Sequence, residues 1–362
     1  MLTIPHASLK SAVKAMLTAM GSAAAEAETV ADHLVKANLK GHDSHGVGMM
    51  PLYIRHWREG KLVVNGDLTI KRDDGPFLMG DASGAHGQVV ALDITRRTVE
   101  RAQEQGVGIS GLTSAHHIGR VGTYGEVIAE AGFVGLQFVN VAGHDPTVAP
   151  WAGSDARFLT NPVCISVPAS RGKSPIILDF ATSKVALGKV RVAYNEGRDL
   201  APGLLIDHLG ESATDPALMF PEEGQSRCGA LTPMGEYKGS GLALMAELLG
   251  AALTGGMTIR PDQGRDAGVR NNMLSIVIDP DRLGGRGPFL EEVAAVVDWV
   301  KASPAADPDQ PVLVAGEPEL RSHAMRLEAG IPIDDTTWAE LQMGADMVGM
   351  GSDRFLELAR AD

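Results

Sequence analysis

Gly106-Val107-Gly108-Ile109-Ser110-Gly111 meets the G-x-G-x-x-G spacing of a dinucleotide-binding turn, and the residues on either side of it decide how it folds. Such a turn works because a strand leads into the glycines and a helix begins after them, so that a pyrophosphate sits on the helix N-terminus. Here the order is reversed. Residues 89–105 form a helical run, and the residues from Val107 onward read as the start of a strand. The stretch is therefore expected to be a glycine-capped helix end running into a strand.

Outward from this point, residues 66–279 alternate helix-like segments (89–105, 122–130) with short apolar runs. The runs at 133–141, 163–167, 175–180 and 273–279 read as strands. Residues 239–253 are nearly all apolar, which predicts a helix buried on every side. Residues 221–229 and 260–270 read as polar loops. The flanks are helical: 6–20, 23–40 and 51–57 before the middle, and 317–329, 335–343 and 352–361 after a Pro/Asp/Ala-rich linker at 303–311. The simplest organisation is an α/β domain over 66–303 and a discontinuous helical lobe made of 1–65 with 304–362.

Composition limits the function. The chain has 362 residues, 44 % apolar and 21 % charged, which excludes a disordered protein and exceeds what one core usually organises. Its 43 glycines point to many sharp turns or close backbone approaches, whereas 4 % aromatic content disfavours stacking platforms for nucleic acid or sugars. A net charge of −13 repels duplex phosphates, so no nucleic-acid partner is expected and an anionic substrate needs local positive charge. Cys164 and Cys228 form no CxxC pattern and read as packing residues in a reducing cytoplasm. The N-terminus lacks the pattern of a secretory signal. The apolar stretch 241–257 is too short and interrupted to cross a membrane.

Two further familiar motifs fail. Gly172-Lys173-Ser174 resembles the end of a P-loop, but Val167 stands where its first glycine belongs, and no H-E-x-x-H occurs. Two histidine clusters remain. In Gly41-His42-Asp43-Ser44-His45-Gly46, His45 is the candidate for proton transfer, Ser44 can orient a substrate oxygen, and the glycines admit a ligand. His42 and Asp43 read as caps of the next helix. The competing reading is a metal-dependent hydrolase using His42, His45 and His117, although no fourth ligand suggests itself and no metal site is assigned. In Ser114-Ala115-His116-His117-Ile118-Gly119-Arg120, one histidine is expected to be structural, because neighbours on a strand face opposite ways. Arg120, at a helix start, is an anion site or a surface ion pair. Asp179-Phe180-Ala181-Thr182-Ser183, at a strand end, suits ribose or phosphate contacts, or caps a helix at Thr182 or Ser183. Lys238, between glycines, is an anion ligand or a snorkelling surface residue.

In this order, Ser44-His45-Gly46, His116-His117-Ile118-Gly119-Arg120, Thr160-Asn161-Pro162, Leu178-Asp179-Phe180-Ala181-Thr182-Ser183, Lys238-Gly239-Ser240-Gly241-Leu242, Leu313-Val314-Ala315-Gly316-Glu317-Pro318-Glu319 and Gly330-Ile331-Pro332-Ile333 resemble the type-2 malate/L-lactate dehydrogenase family. That family includes ureidoglycolate, sulfolactate and 2,3-diketogulonate oxidoreductases. The resemblance spans residues 35–338, and Val148-Ala149-Pro150 with the His-His-Ile-Gly-Arg form is most like the hydroxycarboxylate dehydrogenase branch.

The resemblance implies an α/β fold with a family-specific, non-Rossmann NAD(P)-binding domain and a large mixed sheet, together with the helical lobe. It implies an oxidoreductase transferring hydride between NAD(H), or NADP(H), and a 2-oxo/2-hydroxy carboxylic acid, working as a homodimer with sites near the subunit interface. The family's general acid/base falls on His45, beside Ser44. His117 matches its second histidine, polarising the same oxygen or holding the nicotinamide amide. Cofactor contacts carry over to His45, Gly119, Arg120, Val121, Asp179, Phe180, Ala181, Thr182, Ser183, Asn272, Gly316, Glu317, Pro318 and Glu319, with Lys238 a further candidate. Met49 stands where many members carry arginine, which leaves the substrate carboxylate to Arg55, Arg120 or Lys238. Tyr237 and Ser240 also depart from the pattern.

Overall fold

Gly106 ends the Gly87–Gln105 helix in the left-handed conformation, φ 84°, and the chain passes directly into the strand Val107–Ala115. The expected cap and strand are thus present in the computed structural model, which describes residues 2–221 and 228–360. Most of the loop expected at 221–229, and Ala361 of the last expected helix, lie outside the described residues. The glycines of the failed fingerprint serve packing. A Cβ on Gly108 would strike the Thr98 carbonyl of the helix above, and one on Gly111 would strike Met79 and Thr254 on the other face.

Val107–Ala115 lies near the middle of a seven-stranded mixed sheet. The order is Thr69–Asp74, Phe77–Asp81, Val107–Ala115, Arg270–Ile278, Val134–Ala142, Val163–Val167, Ile176–Phe180. Only Phe77–Asp81 and Val107–Ala115 run parallel, joined by the Gly87–Gln105 helix as a crossover; the other neighbours are antiparallel. Arg270–Ile278, late in the chain, inserts between two strands that are consecutive in sequence and pairs with both.

A separate core binds the ends of the chain together. Leu9, Met16, Leu34 and Tyr53 from the N-terminal helices pack with Trp338, Leu341 and Phe355 from the C-terminal ones. The short strand Leu2–Ile4 pairs antiparallel with Ile331–Ile333. A third cluster, around Val148, Val190, Leu205 and Leu231, organises the strands Leu205–Asp207, Ser212–Ala213 and Gly229–Leu231 with the helix Leu187–Asn195. Runs of two or three residues carry no readable period, so this unit has no sequence signature.

Two expectations need correction. The apolar helix is Tyr237–Glu247, continued by a π-helical turn at Leu248–Ala252, and it is not buried all round. Ala243 and Ala246 are buried on its inner side and Gly250 lies against the Val134–Ala142 strand, while Leu244, Met245 and Leu248 are each over 40 % exposed. Small residues bring its inner side close to the strands, and its larger side chains point outward. Cys164 is a buried packing residue as expected, but Cys228 is exposed; no disulfide joins them.

Candidate active site

The Ser44-His45 turn is held from both ends of the chain. The helix Ala24–Leu39 ends just before it, and Asn38 reaches forward from that helix. Its amide donates to Asp43 Oδ1 at 2.7 Å and its Oδ1 accepts from the Val47 N–H at 2.8 Å. From the Glu317–Ala329 helix, Arg326 pairs with both Asp43 oxygens, at 2.7 and 3.0 Å. His42 Nε2 lies 3.1 Å from Glu319 Oε1 of the same helix. His42 and Asp43 therefore do not cap the next helix as expected. Their side chains are drawn instead to the C-terminal helix, which clamps the turn.

Within the turn, Ser44 Oγ lies 3.0 Å from His45 Nδ1. His45 stacks on His117, with ring centroids 5.5 Å apart and an interplanar angle of 16°. His117 lies two residues beyond the Val107–Ala115 strand, and its Nδ1 lies 2.7 Å from the Tyr53 hydroxyl. His116 points the other way, fully buried, with Nε2 2.8 Å from His56 Nδ1. The two adjacent histidines thus divide as expected, one toward His45 and one into the interior.

Arg120 is 2 % exposed and is not a surface ion pair. It donates to Glu126 at 2.6 Å, its Nε lies 3.7 Å from Asp179 Oδ2, and that Nε has no hydrogen-bond partner among the described residues. Asp179 in turn accepts the Gly122 N–H at 2.7 Å, and Lys40 also pairs with Glu126. Burial pushes the Asp179 carboxyl upward, against the pull of Arg120. Burial also acts to raise Glu126, but Arg120 and Lys40 outweigh it and hold the carboxyl low. Burial first, then the neighbouring His42 and Arg120, depress His45 to about 4, so its imidazole is neutral at pH 7.

The glycines flanking these residues were expected to admit a ligand. A Cβ on Gly46 would collide with the Asn38 amide, and one on Gly119 would collide with the His33 ring. Gly119 also has φ 72°, and His33 Nε2 accepts the Arg120 N–H at 2.9 Å. Both glycines therefore make room for side chains of the Ala24–Leu39 helix. Gly119→Ala is expected to lower stability by roughly 1–3 kcal/mol, through positive-φ strain and overpacking on His33. A thermal melt showing a Tm unchanged from the parent would contradict this account.

The other site candidates occupy defined places. Val121 is buried. Asp179 and Phe180 end the edge strand Ile176–Phe180, and Ala181 follows. Neither Thr182 nor Ser183 caps a helix. Thr182 Oγ donates to the Thr160 carbonyl at 2.9 Å and Ser183 Oγ to the Val185 carbonyl at 2.9 Å, while the next helix begins only at Leu187. The Met234 N–H donates to the Thr182 carbonyl at 2.8 Å, which brings the chain leading to Lys238 beside that strand end. Lys238 itself is exposed.

Gly316, Glu317, Pro318 and Glu319 open the Glu317–Ala329 helix alongside the same edge strand, where the Ile177 N–H donates to the Ala315 carbonyl at 3.4 Å. Asn272 is fully buried at the irregularity between Arg270–Ile278 and Val107–Ala115. Its amide donates to Asn140 Oδ1 at 2.7 Å and the Met257 carbonyl at 2.9 Å, and its Oδ1 accepts the Ser114 N–H at 2.9 Å. Arg55 is exposed and sits two residues from Tyr53 on the Met50–Arg58 helix, so it faces away from His117. Met49 packs against the helical core.

Sequence reasoning passed over Asn38, Tyr53, Glu126 and Arg326. None lies in a motif; only long-range contact reveals them. Among the described residues, no three His, Cys, Asp or Glu side chains converge as metal ligands. His42 is turned onto Glu319, and His45 and His117 stack face to face, so the metal-hydrolase alternative has no ligand set.

The site thus brings together a hydroxyl-paired imidazole, a second imidazole and a buried arginine beside a sheet edge. The family profile for malate/L-lactate dehydrogenase matches residues 4–342. Hydroxycarboxylate dehydrogenase B of Escherichia coli K12 is 41 % identical over 344 residues, covering 94 % of this chain and 93 % of that protein. A solved E. coli chain of malate/lactate dehydrogenase type superposes with TM-score 0.93 at 39 % identity, covering 99 % of this chain and 98 % of the other. Sulfolactate dehydrogenase from Methanocaldococcus jannaschii gives TM-score 0.85 at 27 % identity, covering 98 % of this chain and all of that one, 100 %. The chain belongs to the malate/L-lactate dehydrogenase family and is an oxidoreductase of hydroxy acids. The mixed, non-Rossmann sheet expected from the resemblance is the fold observed.

Proposed function

We propose that the protein transfers hydride between NAD(H) and a 2-oxo/2-hydroxy carboxylic acid, with His45 as general acid/base. The observation that carries this reading is the Ser44-His45 pair stacked on His117. Ser44 engages Nδ1, which leaves Nε2 to face the substrate. In the oxidative direction, neutral His45 takes the hydroxyl proton; in the reductive direction it returns that proton to the oxygen. His117 contacts the same oxygen. Arg120, already buried beside His45, is the cation best placed to draw in the substrate carboxylate now that Met49 replaces arginine.

The residues present fit a nicotinamide dinucleotide. A groove of about 360 Å³ runs past Lys173, Pro175, Val297, Lys301, Glu317 and Leu320. Apolar walls with two lysines suit an adenosine diphosphate half. Lys173, paired with Asp298, and Lys301, paired with Glu317, place positive charge along this groove. The partnerless Nε of Arg120 offers a donor to an anionic group. Gly119, Arg120, Val121, Asp179 to Ser183, Lys238 and Gly316 to Glu319 would hold the cofactor, with Asn272 supporting the strand beneath. When bound, the nicotinamide supplies or accepts the hydride. The exposed apolar face of Leu244, Met245, Leu248 and Leu253 supports a homodimer. Two cysteines without a disulfide fit a cytoplasmic setting.

The test is a panel of 2-oxo acids with NADH and NADPH, followed at the nicotinamide absorbance, with metal analysis and a chelator arm. Oxidation of NADH by at least one acid, insensitive to chelator, is expected. No oxidation across malate-, lactate-, phenyl- and hydroxy-substituted analogues would remove the reading. So would stoichiometric zinc with activity lost to the chelator.

A further inference from the structure

Glu247, the last residue of the Tyr237–Glu247 helix, carries a buried carboxylate that is met by three N–H donors. Its Oε1 accepts from the Ile259 N–H at 2.6 Å and from Asn140 Nδ2 at 3.3 Å, and its Oε2 accepts from Asn161 Nδ2 at 2.9 Å. Asn140, Asn161 and Asn272 are fully buried, and backbone groups fix the way each amide faces. Asn161 Oδ1 accepts the Val141 N–H at 3.1 Å, while its Nδ2 also donates to the Ala243 carbonyl at 3.1 Å. Asn140 Oδ1 accepts the Asn272 N–H at 3.2 Å, and its Nδ2 donates to the Met257 carbonyl at 3.0 Å. Asn272 Nδ2 donates to that same carbonyl at 2.9 Å and to Asn140 Oδ1 at 2.7 Å, and its Oδ1 accepts the Ser114 N–H at 2.9 Å. Turning any of the three amides would set like against like on both of its sides. Every nitrogen and oxygen of the four side chains thus has a partner of the right kind.

The two ends of this chain of hydrogen bonds are turns that lead into the site. Ser114 has φ 56° and Asn161 φ 27°, values at which a residue other than glycine is strained and must be held by its surroundings. Ser114 lies three residues before His117. On the other arm, the Thr182 N–H and Oγ both donate to the Thr160 carbonyl at 2.9 Å, and Oγ also lies 3.2 Å from the Asn161 carbonyl. We infer that Glu247 and Asn272 are positioning residues, the two ends of one buried clamp that sets the Thr160-Asn161 turn beneath Thr182 and the Ser114 turn before His117. Glu247 acts through Asn161 on the strand end that carries Thr182. Asn272 acts on the approach to His117. Past that histidine the chain has anchors of its own: Asn271 Oδ1 accepts the Ile118 N–H at 2.9 Å and His33 Nε2 the Arg120 N–H at 2.9 Å. Loss of Asn272 therefore moves His117 more than Arg120. The kinetic consequences rest on the proposed dehydrogenase reading; the clamp itself does not.

Amide hydrogen exchange of the full-length protein, followed by NMR without cofactor or substrate, tests the clamp first. The Val141 and Ser114 N–H groups should both exchange slowly in the parent. In Glu247→Gln the remaining oxygen stays with Ile259 and Asn140, and the new amide N–H faces Asn161 Nδ2, donor against donor. Val141 should then exchange roughly tenfold faster, with Ser114 within about twofold of the parent. In Asn272→Ala the pattern should reverse. Kinetics at a temperature well below either Tm test the positioning. Glu247→Gln should raise KM for the cofactor roughly tenfold with kcat within about threefold. Asn272→Ala should lower kcat roughly ten- to a hundredfold with KM for the cofactor within about twofold. A merely structural role lowers Tm and leaves kcat and KM of the folded protein unchanged; that result would overturn the inference, as would loss of both parameters in equal proportion in both variants. Fast exchange of Val141 and Ser114 in the parent would overturn it without any variant having to fold. Exchange that responds arm by arm, in a protein inactive on every 2-oxo acid, would leave the clamp standing and remove the dehydrogenase reading.

Discussion

His45→Ala is expected to lower kcat by roughly two to four orders of magnitude while leaving cofactor affinity within a few-fold of the parent, because general acid–base catalysis contributes on that scale and is made in the transition state. No other side chain can substitute. His117 has its Nδ1 engaged by Tyr53, His42 is tied to Glu319, and Arg120 is held by Glu126. The depressed value of about 4 adds a pH signature in the parent. For hydroxy-acid oxidation, the free enzyme needs neutral His45, so kcat/KM should be level through the neutral range and fall only toward pH 4. For 2-oxo acid reduction it needs the protonated form, so kcat/KM should fall by up to about tenfold per pH unit as pH rises through the neutral range. Steady-state kinetics in both directions, with cofactor titration by fluorescence, measure all three. Turnover in His45→Ala within a few-fold of the parent would take His45 out of its role.

The side chains that carry chemistry were legible in the sequence; what holds them was not. Ser44, His45, His117 and Arg120 stand out because hydroxyl, imidazole and guanidinium groups cluster beside glycines and helix starts. Tyr53, which meets His117, and Asn38 and Arg326, which hold the turn through Asp43, come from separate helices, and hydrogen bonds between distant elements leave no local pattern. The glycines show the same limit. Those next to His45 and Arg120 mark close approach, but Asn38 and His33 do the approaching.

For the fold, the reading at Gly106 succeeded because a 3.6-residue period gives way to strand-like residues within a few positions. The sheet order did not follow from it, because Arg270–Ile278 inserts between strands that precede it by more than a hundred residues. The exposed face of the Tyr237–Glu247 helix was hidden for a different reason. Apolar composition says that a surface needs covering, not that the same chain covers it.

Acid should unfold this protein steeply, and well above the pH at which carboxylates titrate. His33, His56, His86 and His116 are each less than 10 % exposed, and burial is the first cause of depression in all four. His33 falls to about 3, His56 and His86 to about 4, and His116 well below the ordinary range. The geometry explains why these rings resist protonation. His33 Nε2 must accept the Arg120 N–H, and His56 and His116 share one proton across 2.8 Å. His86 has no hydrogen-bond partner among the described residues, with its closest carboxylate oxygen, on Glu26, 3.9 Å away.

The unfolded chain binds these protons near pH 6.5, and the native state does not until about 4 or below. The stability they contribute is therefore complete above 6.5 and is lost as pH falls toward 4. Each ring costs about 1.4 kcal/mol per pH unit in that window, so four together remove about 5 kcal/mol by pH 5.5, comparable to the net stability of many proteins. Asp179 and Glu247, whose carboxyls are raised by burial, oppose the loss by taking up protons in the native state, but only as pH approaches the carboxylate range. Calorimetry from pH 7.5 to 4.5 should show Tm falling sharply below 6.5. His33→Gln keeps an acceptor for the Arg120 N–H while removing the titrating group, so it should flatten that slope by about one proton equivalent. A Tm that stays constant down to pH 5 would mean that these histidines are not held neutral in the native state.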